Sequence, residues 1–199
     1  MRKQLSALGL AVGLAFTCQS AFADKPFSNY PFKVPARYQS IIDDYRETWT
    51  RLSGFEYSGL HWKQFMVVYI NREAKVYANN YREKLRYMEE LEEYDEDEDE
   101  VQTPDYKLYT PGTIVLKENF TVKNGAPGLP VSVTMMIKHK PGYDPKHGDW
   151  EYAQFDPDGN ITVSGKHTDP AVDALCSSCH VNIKERDYIF TSFYTKGDN

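Results

Sequence analysis

The apolar positions of this chain change period twice. Between Arg37 and Leu52 they recur at intervals of three and four (Tyr38, Ile41, Ile42, Tyr45, Trp49, Leu52), which predicts a helix whose apolar face packs on a sheet. Pro26, Pro31 and Pro35 precede it and predict an extended arm over residues 24–36. Ser53-Gly54 breaks the helix. Gln64 to Ile70 is continuous, apolar and rich in β-branched residues, the pattern of a buried strand. Asn71 can then cap a helix starting near Arg72, and Ala74, Tyr77, Tyr81, Leu85, Met88 and Leu91 continue it at helical spacing. After Pro111-Gly112 the period falls to two. Thr113–Phe120 and Val131–Lys138 read as strands, with a loop over residues 123–130, which hold two glycines and two prolines. Alternation in the second strand sets Val131, Val133, Met135 and Ile137 on one face and Ser132, Thr134, Met136 and Lys138 on the other. Trp150–Phe155 and Ile161–Ser164 form a further hairpin across Asp156-Pro157-Asp158-Gly159. A helical turn starts near Asp169-Pro170, and Arg186–Phe190 closes the pattern. Strands joined by short turns, with helices before and after them, predict an α+β fold: an antiparallel sheet with flanking helices.

Composition changes this picture in two places. The net charge of −6 over 199 residues is concentrated in Glu92–Glu100, where like charges repel. That run predicts a solvated insertion at about residues 89–103. With that balance, nothing points to nucleic acid. At the start, Arg2 and Lys3 precede an apolar run, Leu5–Phe16, too short to span a bilayer, and Ala21-Phe22-Ala23 has the form of a cleavage site. The expectation is a signal peptide over 1–23, a mature chain from Asp24, export to the periplasm and no transmembrane segment in the mature form. An uncleaved anchor is the alternative. Cys18 follows Phe16-Thr17, a poor setting for lipid attachment.

Cys176-Ser177-Ser178-Cys179-His180 carries the most specific chemistry. A C-x-x-C-H string is the signature of c-type haem: each thiol adds to a porphyrin vinyl group, and the histidine is held beneath the iron. A redox disulfide or half a zinc site is the alternative, but after leader removal no other cysteine remains to complete a zinc site. Residues 60–199 are then the haem domain, preceded by an arm and helix over 24–59. The expected cofactor is one covalently bound haem c.

Further strings carry a resemblance. Gly112-Thr113-Ile114-Val115-Leu116-Lys117-Glu118-Asn119-Phe120 comes first, then Gly142-Tyr143-Asp144-Pro145, Gly148-Asp149-Trp150-Glu151-Tyr152, Asp156-Pro157-Asp158-Gly159, Gly165-Lys166, the haem string and Asp187-Tyr188. Together with Val68-Tyr69-Ile70-Asn71 upstream, this ordered set resembles the cytochrome P460 family and the related β-sheet cytochromes c′, over about residues 60–190. The resemblance implies a periplasmic monohaem protein, often a homodimer, with a five-coordinate iron that oxidises hydroxylamine or binds nitric oxide. Cys176, Cys179 and His180 carry over directly. Some relatives link a lysine to the porphyrin, and Lys107, beside Leu108, and Lys117 are the candidates here.

The side of the iron opposite His180 decides the function. An open position means ligand binding or turnover, whereas a sixth protein ligand means an electron carrier. His61 is the first distal candidate. Met66, Met135 and Met136 follow, with Met135 reading more readily as core. His139, His147 and His167 sit in polar, turn-rich surroundings and read as surface residues. Lys117 and Glu118 read as a solvated pair at a strand end, with a pocket role as the alternative. Glu118 and Glu151 are candidate general bases for hydroxylamine chemistry. Arg186 can pair with a haem propionate or with Asp187. The acidic run is a solubilising loop, a docking patch for a basic redox-partner cytochrome, or a weak cation-binding segment. The alternatives to a P460-type ligand-binding or oxidising protein are a six-coordinate electron-transfer cytochrome c and a nitric oxide sensor or scavenger without turnover.

Overall fold

The computed structural model describes residues 31–59, 63–93 and 101–191. Residues 1–30, Leu60 with His61 and Trp62, residues 94–100 and residues 192–199 lie outside them. From Pro31 onward the chain forms one compact unit. No helix of the described residues is long and apolar enough to cross a membrane.

The core of the unit is an antiparallel sheet of seven strands: β1 (Thr50–Arg51), β2 (Glu56–Ser58), β3 (Gln64–Ile70), β4 (Ile114–Lys123), β5 (Ala126–Lys138), β6 (Trp150–Phe155) and β7 (Ile161–Gly165). Strands β3 to β7 lie in sequence order, and β1 and β2 share the outer edge of β3. Pairing in sequence order is what short turns between consecutive strands produce.

Three local expectations are corrected. The single helix over residues 37–52 is two short ones, α1 (Gln39–Ile42) and α2 (Tyr45–Thr48), because Trp49 turns extended (ψ 157°) and Thr50–Arg51 pair with β3. The periodicity was real in its inward face, since Tyr38, Ile42 and Tyr45 are buried. The loop over 123–130 is instead the tip of a long β4–β5 hairpin. Asn124 and Gly125 both take positive φ (51° and 76°), the conformation that Asn-Gly supplies to a two-residue hairpin turn. Asn71 caps nothing: its side chain bonds the Gly112 carbonyl and the Ile114 amide (2.9 and 2.8 Å), pinning the start of β4, and α3 runs from Ala74 to Glu93.

The described flanks of the acidic segment meet along α3. Residues 101–107 return along α3 and give it their backbone groups. Asp105 N donates to Glu83 (3.0 Å), Gln102 N to Glu90 (3.2 Å) and Lys107 N to Asn80 (2.8 Å), while Asn80 Nδ2 donates back to the Lys107 carbonyl (2.9 Å). The backbone amide of Asp105, and then Arg86, hold the Glu83 carboxyl below its usual range.

Both faces of the sheet are covered, and they differ. Strand register sets Val67, Glu118, Val133 and Phe155 in one row and Tyr69, Leu116, Met135 and Ala153 in the next. This face packs under α1 and α2, with Tyr45 edge-on to Tyr69 (5.3 Å). The other face carries Val68, Ile70, Val115, Met136, Trp150, Tyr152 and Val163. It packs with Tyr77 of α3, Val172, Cys176, Tyr188 and Ile189 into the main core.

Candidate haem site

The site is built where the C-terminal segment crosses that second face. Asp169-Pro170 opens the segment, with proline at the first helical position, where its missing N–H costs nothing. One α turn (Pro170–Val172) widens into a π turn over Asp173–Ser177 and returns to α at Ser178–His180. Spacings of three and four put Cys176, Cys179 and His180 on one side of the turn. Cys176 is half-buried against the core and Cys179 is exposed. Burial raises the Cys176 thiol to about 11, and the nearby Lys117 charge opposes the shift.

His180 is held by a bend just downstream. Asp187 and Tyr188 both adopt left-handed backbone (φ 53° and 65°), unfavourable for residues with a Cβ. The bend turns the Tyr188 carbonyl onto His180 Nδ1 at 2.6 Å. A carbonyl can only accept, so Nδ1 carries the proton and Nε2 presents its lone pair. Burial pushes the imidazole pKa down to about 4, so the ring is neutral near pH 7, as a metal ligand must be. The rings of Tyr152 (5.7 Å) and Phe190 (5.1 Å) wall it edge-on.

Asp187 anchors the bend. Its carboxylate is 2 % exposed and accepts from Lys138 Nζ on both oxygens (2.6 and 2.7 Å), from Trp150 Nε1 (3.2 Å) and from the Tyr109 backbone N–H (2.8 Å). Gly148 lets the Tyr188 ring approach: a Cβ there would lie 2.7 Å from the ring at a backbone φ of 69°.

A cleft of about 300 Å³ lies beside this segment, lined by Gln64, Val131, Ser132, Gln154 and Leu175, the residue before Cys176. On the same face of the sheet, β4 carries Lys117, in register with Val68 and Thr134. The Lys117 charge acts on both Cys176 and His180. The group is half-buried, without a hydrogen-bond or ion-pair partner among the described residues, and desolvation lowers its pKa to about 8.

That lowering has a measurable consequence. From about 8 up to the ordinary 10.5 the unfolded chain binds more protons than the folded one, so stability rises with pH across that window; below it the full cost of the buried charge is present. Lys117→Met is therefore expected to raise the urea midpoint of the haem-free protein at pH 7, and the gain should fade above pH 10.5. An equal gain at both pH values would assign it to packing instead.

The other candidates are dispersed. Lys117 and Glu118 are not a solvated pair; they sit mid-strand and face opposite ways. Glu118 is 1 % exposed under the N-terminal helices, bonded by Tyr45 Oη and by Arg46 Nε, the latter at 2.6 Å. Met135 lies on that same far face. Its neighbour Met136 takes the core side, as does Met66 opposite Asn119. Glu151 is also on the far face, held by Arg37 (2.9 Å), Tyr38 (2.9 Å) and His139 (2.7 Å). Lys107 points outward to Asp105 (2.5 Å). Arg186 is buried and does not pair with Asp187; it reaches Glu185 and Thr191 (3.4 Å each). His147 and His167 are not plain surface residues, because their rings stack at 3.6 Å, with His147 bonded to the buried Asp144 (2.9 Å). His61 lies outside the described residues.

An antiparallel sheet with a neutral, backbone-oriented imidazole and two thiols on one helical turn above it defines a β-sheet protein with a candidate haem site. The description of the Cytochrome P460 family matches residues 42–191, and the chain belongs to that family. A search among curated proteins finds no significant match. Family membership makes this a haem protein of the P460 type, and the donor set fits the group: a lone pair at His180 Nε2 and two thiols at attachment spacing.

Proposed function

We propose that this is a periplasmic c-type cytochrome with one haem, joined through Cys176 and Cys179 and ligated by His180, which binds or oxidises hydroxylamine or nitric oxide at an open iron position. The observation that carries the reading is the His180 Nδ1–Tyr188 carbonyl bond, which leaves Nε2 free to ligate a metal. When bound, haem supplies an iron that takes up a small ligand and exchanges electrons. The chain orients the imidazole, keeps it neutral and walls it with Tyr152 and Phe190. The leader with its Ala21-Phe22-Ala23 site supports export.

Absorption spectra of the purified ferric and ferrous protein test this. A five-coordinate, high-spin ferrous haem that takes up nitric oxide is the expected result, and a low-spin haem inert to ligands overturns it. Met66 favours a second reading, the six-coordinate electron carrier, because it lies on the cleft side of β3. Under that reading Met66→Leu converts a low-spin spectrum to a high-spin one; under ours it leaves the spectrum unchanged.

A further inference from the structure

Two histidines meet outside the haem string. The rings of His147 and His167 stack with centroids 3.6 Å apart and planes 23° apart. They come from different loops. His147 ends the helical turn Pro145–His147 that precedes β6, and His167 follows β7 on the loop that leads into the haem segment. Both rings are partly exposed. Each Nδ1 is turned toward a carboxylate. His147 Nδ1 lies 2.9 Å from Asp144 Oδ1. A carboxylate oxygen can only accept, so in the neutral ring Nδ1 carries the proton and Nε2 keeps its lone pair. His167 Nδ1 lies 4.0 Å from Asp173 Oδ1, which also accepts from the Ser177 hydroxyl (3.3 Å). A carboxylate behind the ring is the usual setting of a metal-ligating imidazole. Asp144 is 6 % exposed, and its second oxygen, Oδ2, is buried without a donor among the described residues. A buried carboxylate left short of partners destabilises a fold unless a cation compensates it.

We propose that His147 and His167 form a two-histidine clip for a divalent transition cation of the imidazole-preferring class, zinc or copper, in addition to the haem. Nε2 of each ring ligates the ion. Asp144 orients the His147 ring and supplies compensating charge. No group of three or more metal-ligating side chains stands together among the described residues, so water completes the shell. Zinc–imidazole bonds of about 2.1 Å in a tetrahedral shell place two nitrogens about 3.4 Å apart, close to the present separation of the rings. The rings turn about their Cβ–Cγ bonds until both lone pairs meet the ion. Hard ions such as calcium prefer oxygen ligands and do not compete. The ion ties together two loops, and one of them also holds Tyr188: the Lys146 carbonyl accepts from Tyr188 Oη (3.2 Å). Metal binding therefore stiffens the bend whose carbonyl orients His180.

The test uses the tag-free, haem-loaded protein, freed of other metals with a chelator, as wild type, His147→Gln, His167→Gln, Asp144→Asn and His139→Gln. Calorimetric titrations with zinc chloride and with copper(II) chloride are run in excess calcium chloride, which occupies the acidic run. Wild type should take up one zinc ion per chain, and copper should bind more tightly than zinc. Asp144→Asn should weaken zinc binding by roughly tenfold or more, the usual effect of removing the carboxylate behind a ligating histidine. His147→Gln and His167→Gln should each weaken it further. His139→Gln, whose ring stacks on Tyr143 instead, should bind as wild type does. Zinc should also raise the urea midpoint of wild type and leave that of His167→Gln in place, since a ligand stabilises only the form that binds it. The haem absorption spectrum shows whether each variant is folded, and either glutamine variant alone decides the question if the other fails to fold. The clip is overturned if wild type takes up no stoichiometric zinc, if calcium abolishes the binding, or if a folded glutamine variant binds as tightly as wild type.

Discussion

The double substitution Cys176→Ala, Cys179→Ala is expected to yield a protein that carries no haem through denaturing electrophoresis. Thioether bonds survive unfolding, whereas coordination by His180 does not, so haem staining on such a gel reads the covalent link alone. The remaining cysteine, Cys18, lies in the expected leader, which leaves no substitute thiol in the mature chain. Single substitutions should differ from the double one. Cys176 packs against the core and Cys179 is exposed, so Cys179→Ala should leave a better-folded protein with haem on one bond. His180→Ala should keep the covalent link and lose the axial ligand, which shifts the spectrum without removing the stain. Persistent staining of the double variant would refute the attachment site.

Much of the fold was legible in the sequence because its strands are bounded by strong local signals. Gln64–Ile70, Val131–Lys138 and Trp150–Phe155 were readable from alternation, β-branching and turn residues, and each is a strand. The misses have physical causes. Asn124-Gly125 signals a hairpin turn, whereas Pro127 and Pro130 signal a loop; β5 absorbs both prolines beyond the tip, beside the β4–β5 register shifts. The helical spacing over 37–52 described which residues face inward, yet it could not show that Thr50–Arg51 would find an open edge on β3, since that edge is made by tertiary pairing.

The site was legible only in part, for a different reason. His180 and its cysteines announce themselves by spacing. Choosing the side of the sheet they face required knowing that both faces are covered. The apolar face of β5, with Met135, packs under α1 and α2, whereas Thr134 and Met136 lie on the side of the haem string. Applying the same alternation to β4 puts Lys117 in phase with Val115 and Asn119 and out of phase with Glu118, which is the signal that separates the two residues. Nothing local links Tyr188 to His180, because the contact depends on two consecutive left-handed residues.

Asp187→Ala is expected to destabilise the protein by about 3–5 kcal/mol, the usual result of removing one partner of a buried ion pair. Lys138 and Asp187 side chains are 10 % and 2 % exposed, so the ammonium left behind could not be rehydrated without opening the core. Trp150 Nε1 and the Tyr109 N–H would lose their acceptor as well, and alanine tolerates a φ of 53° poorly. Asp187→Asn should cost less, because asparagine adopts left-handed backbone readily and keeps one acceptor oxygen. Combining it with Lys138→Met should recover stability, since the unpaired charge is then gone, and the cycle separates the ion pair from the other bonds. Urea denaturation of the four proteins measures these differences. The effect should reach the haem, because Asp187 fixes the bend that carries the Tyr188 carbonyl to His180 Nδ1. A loosened bend frees the imidazole to rotate, and the spectrum of Asp187→Ala should become heterogeneous well below its unfolding midpoint. If Asp187→Ala loses less than about 1 kcal/mol, the pair belongs with the weak surface salt bridges and does not anchor the site.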